Sequence, residues 1–164
     1  NGAAYEVNSI ADGLCRLDAK NADAYRNNAS SYIKKLNAVS EKMHSELKQY
    51  EGTKVITFHE AFPYFTAEFN LDCSAVIERE PGEEPSPKEL VELIDLIKEK
   101  QSDGSRIALF AEPQYSPSSA QIIARETGLT VFELDPSVTG DLTKDAYLNA
   151  MEKNLSVLKE AFSK

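Results

Sequence analysis

Polar residues follow each of four short apolar runs in this sequence, and their types favour the binding of a cation. His59-Glu60 follows the first run, Glu112-Pro113 the third and Asp135-Pro136 the fourth. Glu78-Arg79-Glu80 follows the second run. In open α/β sheets, ligands bind outside the carboxyl ends of the strands. Imidazole and carboxylate groups together suit borderline and hard cations, so the pattern predicts a metal site at this edge.

The same residues also have an ordinary structural explanation. Strands leave the core at their ends, where polar residues are common, and Asp-Pro and Glu-Pro are frequent turn dipeptides. Glu112, for example, could form a turn with Pro113 and have no role in a metal site. His59 favours a site most strongly, because the chain contains only one other histidine. The pattern alone leaves both interpretations open.

The four apolar runs predict the strands of a parallel sheet. They are Val55–Phe58, Ser74–Ile77, Ile107–Phe110 and Thr130–Leu134. Each is apolar nearly throughout, as expected for strands that are covered on both faces. Helical patterns separate them: Ser86-Pro87-Lys88-Glu89 is a capping box, and Ser116-Pro117 begins another helix. This alternation predicts an α/β fold with a four-stranded parallel sheet flanked by helices.

Two helical segments precede the predicted sheet. Neither glycine nor proline occurs from Leu14 to Glu51, and an apolar stripe from Tyr25 to Leu47 predicts one long helix. Asn21 is its predicted N-cap and Gly52 its predicted stop. A shorter helical pattern covers Ala4 to Leu17 without a cap at its beginning, as expected for the end of a longer helix.

Composition excludes several classes of protein. The chain has 164 residues and a formal net charge of −9, which disfavours binding to phosphate backbones. No apolar run approaches the roughly 18 residues that a membrane-spanning helix needs. Two cysteines, Cys15 and Cys73, cannot build a disulfide framework, and whether they pair with each other stays open.

Several ordered motifs resemble those of the extracytoplasmic zinc- and manganese-binding proteins of ABC transporters. The first is Phe58-His59-Glu60-Ala61-Phe62-Pro63-Tyr64-Phe65, which is followed by Phe69-Asn70-Leu71. The others are Leu17–Asn21, Glu84–Leu90, Phe110–Pro117, Leu134-Asp135-Pro136 and Asp145–Leu148. The resemblance covers essentially the whole chain.

The resemblance implies two α/β lobes joined by one long helix, with the metal held between the lobes. His59 and Asp135 match the two ligand positions of the C-terminal lobe, and Glu60 and Glu112 match positions that support or tune the ligands. Zinc binders of the family tend to have histidine at the first position and manganese binders tend to have glutamate. His59 therefore favours Zn²⁺ as the cargo, with Mn²⁺ as the alternative.

One departure from the family pattern concerns the other lobe, which should supply two further histidines that this chain lacks. Residues 1–17 match the end of the interlobe bridging helix, and residues 18–164 match the C-terminal α/β metal-binding lobe without its N-terminal partner. A two-ligand half-site cannot form a closed tetrahedral zinc site. We therefore expect weak or absent metal binding by this lobe alone.

The resulting functional prediction is the substrate-binding component of a metal ABC importer, which captures Zn²⁺ and delivers it to a membrane permease. Such a protein is not an enzyme, binds no nucleic acid and works outside the cytoplasm, in the periplasm or as a cell-surface lipoprotein. The signal segment and the N-terminal lobe would lie outside this chain. Two alternatives stay open: a manganese or iron receptor of the same family, and a metal-dependent hydrolase domain.

The first helix also suggests a partner. Tyr5 and the apolar positions near it would lose their contacts if a neighbouring lobe were removed. The sequence therefore suggests a homodimer formed through this exposed helix.

Overall fold

The computed structural model describes residues 2–77, 85–113 and 118–163. The helices are α1 (Gly2–Leu17), α2 (Ala22–Leu47), α3 (Pro63–Glu68), α4 (Pro87–Ser102), α5 (Ser118–Thr127) and α6 (Ala146–Phe162). The strands are β1 (Lys54–Thr57), β2 (Asp72–Val76), β3 (Ile107–Ala111) and β4 (Val131–Glu133). The predicted α/β fold with a four-stranded parallel sheet is confirmed.

The sheet has the strand order β2-β1-β3-β4, and all three pairings are parallel. Ile56 of β1 is in register with Leu109 of β3, and Thr57 is in register with Phe110. Residues in register point to the same face of a sheet and successive residues of a strand alternate between faces, so Ile56 and Leu109 share one face and Thr57 and Phe110 share the other. The central strands β1 and β3 are buried almost throughout, which explains their apolar sequences.

Helices cover both faces of the sheet. On one face, Ile56 and Leu109 belong to a buried cluster that includes Ile97 of α4 and Ile123 of α5. On the other face, the Phe110 ring meets the Phe162 ring of α6 edge-on, with centroids 6.2 Å apart. Two layers of helices thus hold the strand ends in fixed positions.

The capping box at the start of α4 is present as predicted. The Glu89 N–H donates to Ser86 Oγ at 3.3 Å, and the Ser86 N–H donates to the Glu89 carboxylate at 2.8 Å. The predicted start of α5 at Ser116-Pro117 lies outside the described residues, and so does the acidic segment that follows β2. The short helix α3 was not predicted, because its six residues are fewer than two helical turns.

The chain divides into two compact units, Asn1–Glu46 and Leu47–Lys164. In the first unit, a 3₁₀ turn over Ala19–Asn21 joins α1 to α2. The long helix begins at Ala22, directly after the predicted N-cap Asn21. The Asn21 side-chain amide donates to Asp18 Oδ2 at 2.7 Å, and the Tyr25 hydroxyl donates to the same oxygen at 2.9 Å. These bonds, that of Asn21 first, lower the pKa of Asp18.

Both cysteines are free thiols, and the Cys15 thiol donates to the carbonyl oxygen of Ala22 at 3.4 Å.

Within the described parts of the chain, none of the helices combines the length and the apolar character that a bilayer crossing requires.

Candidate metal centre

The strand order brings three of the predicted site residues to one edge of the sheet. His59 follows β1, Glu112 follows β3 directly, and Asp135 follows β4. Because these strands are parallel and β3 lies between β1 and β4, their carboxyl ends share one edge. Neighbouring strands lie about 4.8 Å apart, so the chain segments bearing His59 and Asp135 leave the sheet two strand spacings from each other.

The backbone at His59 is tied to the buried carboxylate of Glu112. The His59 N–H donates to Glu112 Oε1 at 3.0 Å, and Glu112 is only 2% exposed. The register that pairs Thr57 with Phe110 also places residue 59 beside residue 112. Glu112 therefore fixes the chain as it leaves β1, a more specific role than turn formation with Pro113.

The His59 side chain is half-buried, and its Nδ1 atom is shielded from solvent. A neutral imidazole can bind a metal through either ring nitrogen. Its position at the sheet edge is thus compatible with a ligand whose ring is held by the surrounding protein.

Asp135 is held by three hydrogen bonds. Its N–H donates to Asn154 Oδ1 at 3.0 Å, and the Asn154 amide donates to its carbonyl oxygen at 2.7 Å. The Ser137 N–H donates to the carboxylate Oδ1 at 2.7 Å. Ser137 adopts a left-handed backbone with φ 59°, which is uncommon for a residue other than glycine. The turn after β4 therefore has a defined shape.

Asn154 was missed by the sequence analysis, although a signal for it exists. The residue lies on the same side of α6 as the apolar positions Met151, Leu155 and Leu158, where a polar side chain is unexpected. It is 1% exposed. A polar residue within an apolar helical stripe indicates a specific buried partner, because burial of an unbonded amide is costly.

Glu60 directly follows His59 in the chain. Its side chain is exposed, and its charge acts on Cys73 of β2. The pKa of the Cys73 thiol is raised, mainly by burial and to a smaller extent by the charges of Asp72 and Glu60. The charge of Glu60 thus forms part of the surroundings of Cys73. Glu78 and Glu80 lie outside the described residues.

The described residues provide an incomplete donor set. Across residues 2–77, 85–113 and 118–163, no group of three or more His, Cys, Asp or Glu side chains is arranged to hold a metal ion. His59 and Asp135 offer one imidazole and one carboxylate from one edge. Structural zinc sites usually have four ligands and catalytic zinc sites have three plus water. The donor types fit zinc, but two donors are fewer than either kind of zinc site requires.

Comparison with solved structures identifies the class of protein whose fold this chain shares. The structure superimposes on that of the SBP FpvC from Pseudomonas aeruginosa in complex with Mn²⁺, with a TM-score of 0.81 and 32% sequence identity. The match covers 95% of this chain and 58% of that protein. This chain thus has the fold of one part of a metal-bound SBP.

The family follows from the sequence. Residues 1–161 match the model of the family described as zinc-uptake complex component A, periplasmic, and the chain belongs to that family. It is 31% identical over 159 residues to the zinc-binding lipoprotein AdcA of Streptococcus pneumoniae. It is 30% identical over 158 residues to the high-affinity zinc uptake system protein ZnuA of Brucella suis. The predicted family relationship is confirmed.

The chain covers only part of these relatives. The matches include 94% of this chain in both cases, but 31% of AdcA and 46% of ZnuA. The family is one of transport proteins, which agrees with the prediction of a binding component.

Proposed function

We propose that this chain is the C-terminal lobe of an extracytoplasmic zinc receptor, the substrate-binding component of a metal ABC importer. In this proposal, residues 1–17 form the end of the helix that bridges two lobes, and residues 18–164 form the metal-binding lobe. Family membership and the partial coverage of longer relatives support it. The end of α1 at Leu17 agrees with the first boundary.

The observation that carries the proposal is the placement of His59 and Asp135 at one edge of the sheet, each with its backbone held by a buried polar side chain. We assign these two residues as the ligands that this lobe contributes. Zn²⁺ is the cargo, since imidazole and carboxylate ligands suit it, and the other lobe supplies the remaining donors. Capture and release then proceed by ligand exchange as the lobes move, and no covalent bond is made or broken.

A hydrolase function has less support. An acid–base role for Glu112 requires a carboxylate that can exchange protons with a substrate. Its Oε1 atom instead accepts a backbone hydrogen bond, and the residue is buried. We therefore assign Glu112 to the positioning of His59 and propose no catalytic residue.

Manganese is the alternative cargo, and it has less support than zinc. The similar SBP FpvC was solved in complex with Mn²⁺. Carboxylate ligands suit Mn²⁺, whereas imidazole favours the later first-row metals. His59 is therefore the feature that favours zinc over manganese in this chain.

The location and partners follow from the same proposal. The family is described as periplasmic, and two relatives are described as a zinc-binding lipoprotein and as a metal ABC transporter substrate-binding lipoprotein. We therefore place this protein outside the cytoplasm, with an ABC permease as its partner. The exposed side chains of α1, including Tyr5 and Leu17, are candidates for contact with the other lobe or with a second copy. Light scattering of the chain at high concentration tests the homodimer, and a monomer contradicts it.

Calorimetric titration tests the proposed function. The two-lobed protein is expected to bind Zn²⁺ more tightly than Mn²⁺, and the 164-residue chain alone is expected to bind either metal far more weakly, because it holds only two ligands. Preferential binding of Mn²⁺ would favour the alternative cargo. Nanomolar zinc binding by the chain alone that His59→Ala abolishes would contradict the half-site.

A substitution of Glu112 tests its positioning role. Glu112→Ala in the two-lobed protein is expected to weaken zinc binding by about 10- to 100-fold, the usual cost of losing a group that supports a metal ligand. Glu112→Gln keeps a carbonyl acceptor for the His59 N–H and is expected to retain most of the affinity. Competition with a chromogenic chelator measures both. Equal losses in the two variants would show that the negative charge acts, and not the hydrogen bond.

A further inference from the structure

Asn154 is a buried polar residue of α6 that no sequence motif identified. Asparagine is mostly exposed in folded proteins, yet this side chain is 1% exposed. A buried amide destabilises a fold unless its donor and acceptor both find partners. The partners of Asn154 therefore indicate why an asparagine occupies this position.

Both polar atoms of the Asn154 amide bond to the backbone of one residue. Oδ1 accepts from the Asp135 N–H at 3.0 Å, and Nδ2 donates to the Asp135 carbonyl oxygen at 2.7 Å. A backbone N–H only donates and a carbonyl only accepts, so this pairing defines the orientation of the amide. Asp135 lies 19 residues earlier in the chain, so the pair joins α6 to the turn after β4.

A third hydrogen bond restrains the carboxylate of Asp135 itself. The Ser137 N–H donates to Asp135 Oδ1 at 2.7 Å. In the described part of the chain, no hydrogen bond is made to the other oxygen, Oδ2. The bond to Oδ1 thus orients the carboxylate relative to the turn after β4.

We propose that Asn154 is a positioning residue for the metal site: it fixes the Asp135 backbone so that the carboxylate is oriented before a cation arrives. The inference rests on the proposed function, in which Asp135 is a metal ligand. A ligand that is already ordered loses less conformational entropy on binding, so the restraint raises affinity. A purely structural role for Asn154 would affect stability but not affinity.

Two substitutions at Asn154 separate these roles in the two-lobed protein. Asn154→Leu removes both hydrogen bonds and keeps a branched side chain with the same number of heavy atoms, and Asn154→Ala removes them and leaves a cavity. Both are expected to weaken Zn²⁺ binding about 10-fold in competition with a chromogenic chelator. The matched control is Leu158→Ala, one turn further along α6 at a fully buried position. It is expected to lower Tm at least as much as Asn154→Leu and to leave zinc affinity unchanged.

Amide hydrogen exchange gives a second readout in the absence of metal. Exchange at Asp135 and Ser137 is expected to quicken in both Asn154 variants, under conditions in which Leu158→Ala leaves these two amides unchanged relative to their neighbours. Unchanged exchange and zinc affinity within twofold of the wild type, in either correctly folded Asn154 variant, would overturn the positioning role.

Asp135→Ala separates this inference from the proposed function. If Asp135→Ala leaves zinc affinity unchanged, Asp135 is not a ligand, and both the site assignment and the inference fail. If Asp135→Ala weakens binding strongly but the Asn154 variants do not, only the inference about Asn154 fails.

Discussion

Replacement of His59 by alanine in the two-lobed protein is expected to reduce zinc affinity by more than about 100-fold. Loss of a supporting group alone costs up to about that factor, and loss of a direct ligand costs more. Competition with a chromogenic chelator measures the change, and circular dichroism verifies that the variant folds. His59 lies at the sheet edge beside Glu112, so its removal leaves this lobe with Asp135 as its one proposed ligand.

The chain offers a matched control for this experiment. His44 is the only other histidine and is exposed on α2. His44→Ala is expected to leave zinc affinity unchanged. If His59→Ala weakens zinc binding by less than about threefold, which is less than about 0.7 kcal/mol, His59 is not a ligand.

The second large effect concerns stability. Phe110→Ala is expected to lower the free energy of unfolding by about 3–5 kcal/mol, as is usual when a buried aromatic side chain is truncated. Phe110 lies in the central strand β3, is 0% exposed and packs against the rings of Phe132 and Phe162. Urea denaturation of the chain measures the loss.

Tyr64→Ala is the control for that measurement, because this aromatic side chain is exposed to solvent. Its expected effect lies within about 0.5 kcal/mol. If Phe110→Ala costs less than about 1 kcal/mol, α6 does not pack on the sheet as described.

Most of the fold could be predicted from the sequence, because its signals are local. The strands β1 and β3 are buried on both faces and therefore read as continuous apolar runs. The capping box at Ser86 marks the start of α4 through residue types at fixed spacing. The predicted N-cap Asn21 directly precedes α2, but the hydrogen bond from its amide to Asp18 was not predicted.

The candidate site could be predicted only in part. The position of His59 and Asp135 at one edge follows from the rule for strand ends in parallel sheets. The bond from His59 to Glu112 depends on β3 lying next to β1, and the strand order is a property of the whole sheet. The apolar stripe of α6 indicates that Asn154 has a buried partner, but the identity of that partner, Asp135, depends on how α6 packs.

These contacts suggest how half of a metal site can be ready before the other half closes on it. Each proposed ligand is attached to a backbone that a buried polar residue holds, Glu112 for His59 and Asn154 for Asp135. Little ordering then remains to be done in this lobe when the cation binds. Release to a permease would then depend on separation of the lobes more than on disorder within this one.

Crystallography of the zinc-loaded two-lobed protein, with anomalous data collected on both sides of the zinc absorption edge, tests the ligand assignment most directly. The proposal predicts one strong peak within about 2.0–2.2 Å of a His59 ring nitrogen and of an Asp135 carboxylate oxygen. A fully occupied zinc ion bound by other residues, with neither His59 nor Asp135 in its coordination shell, would contradict it.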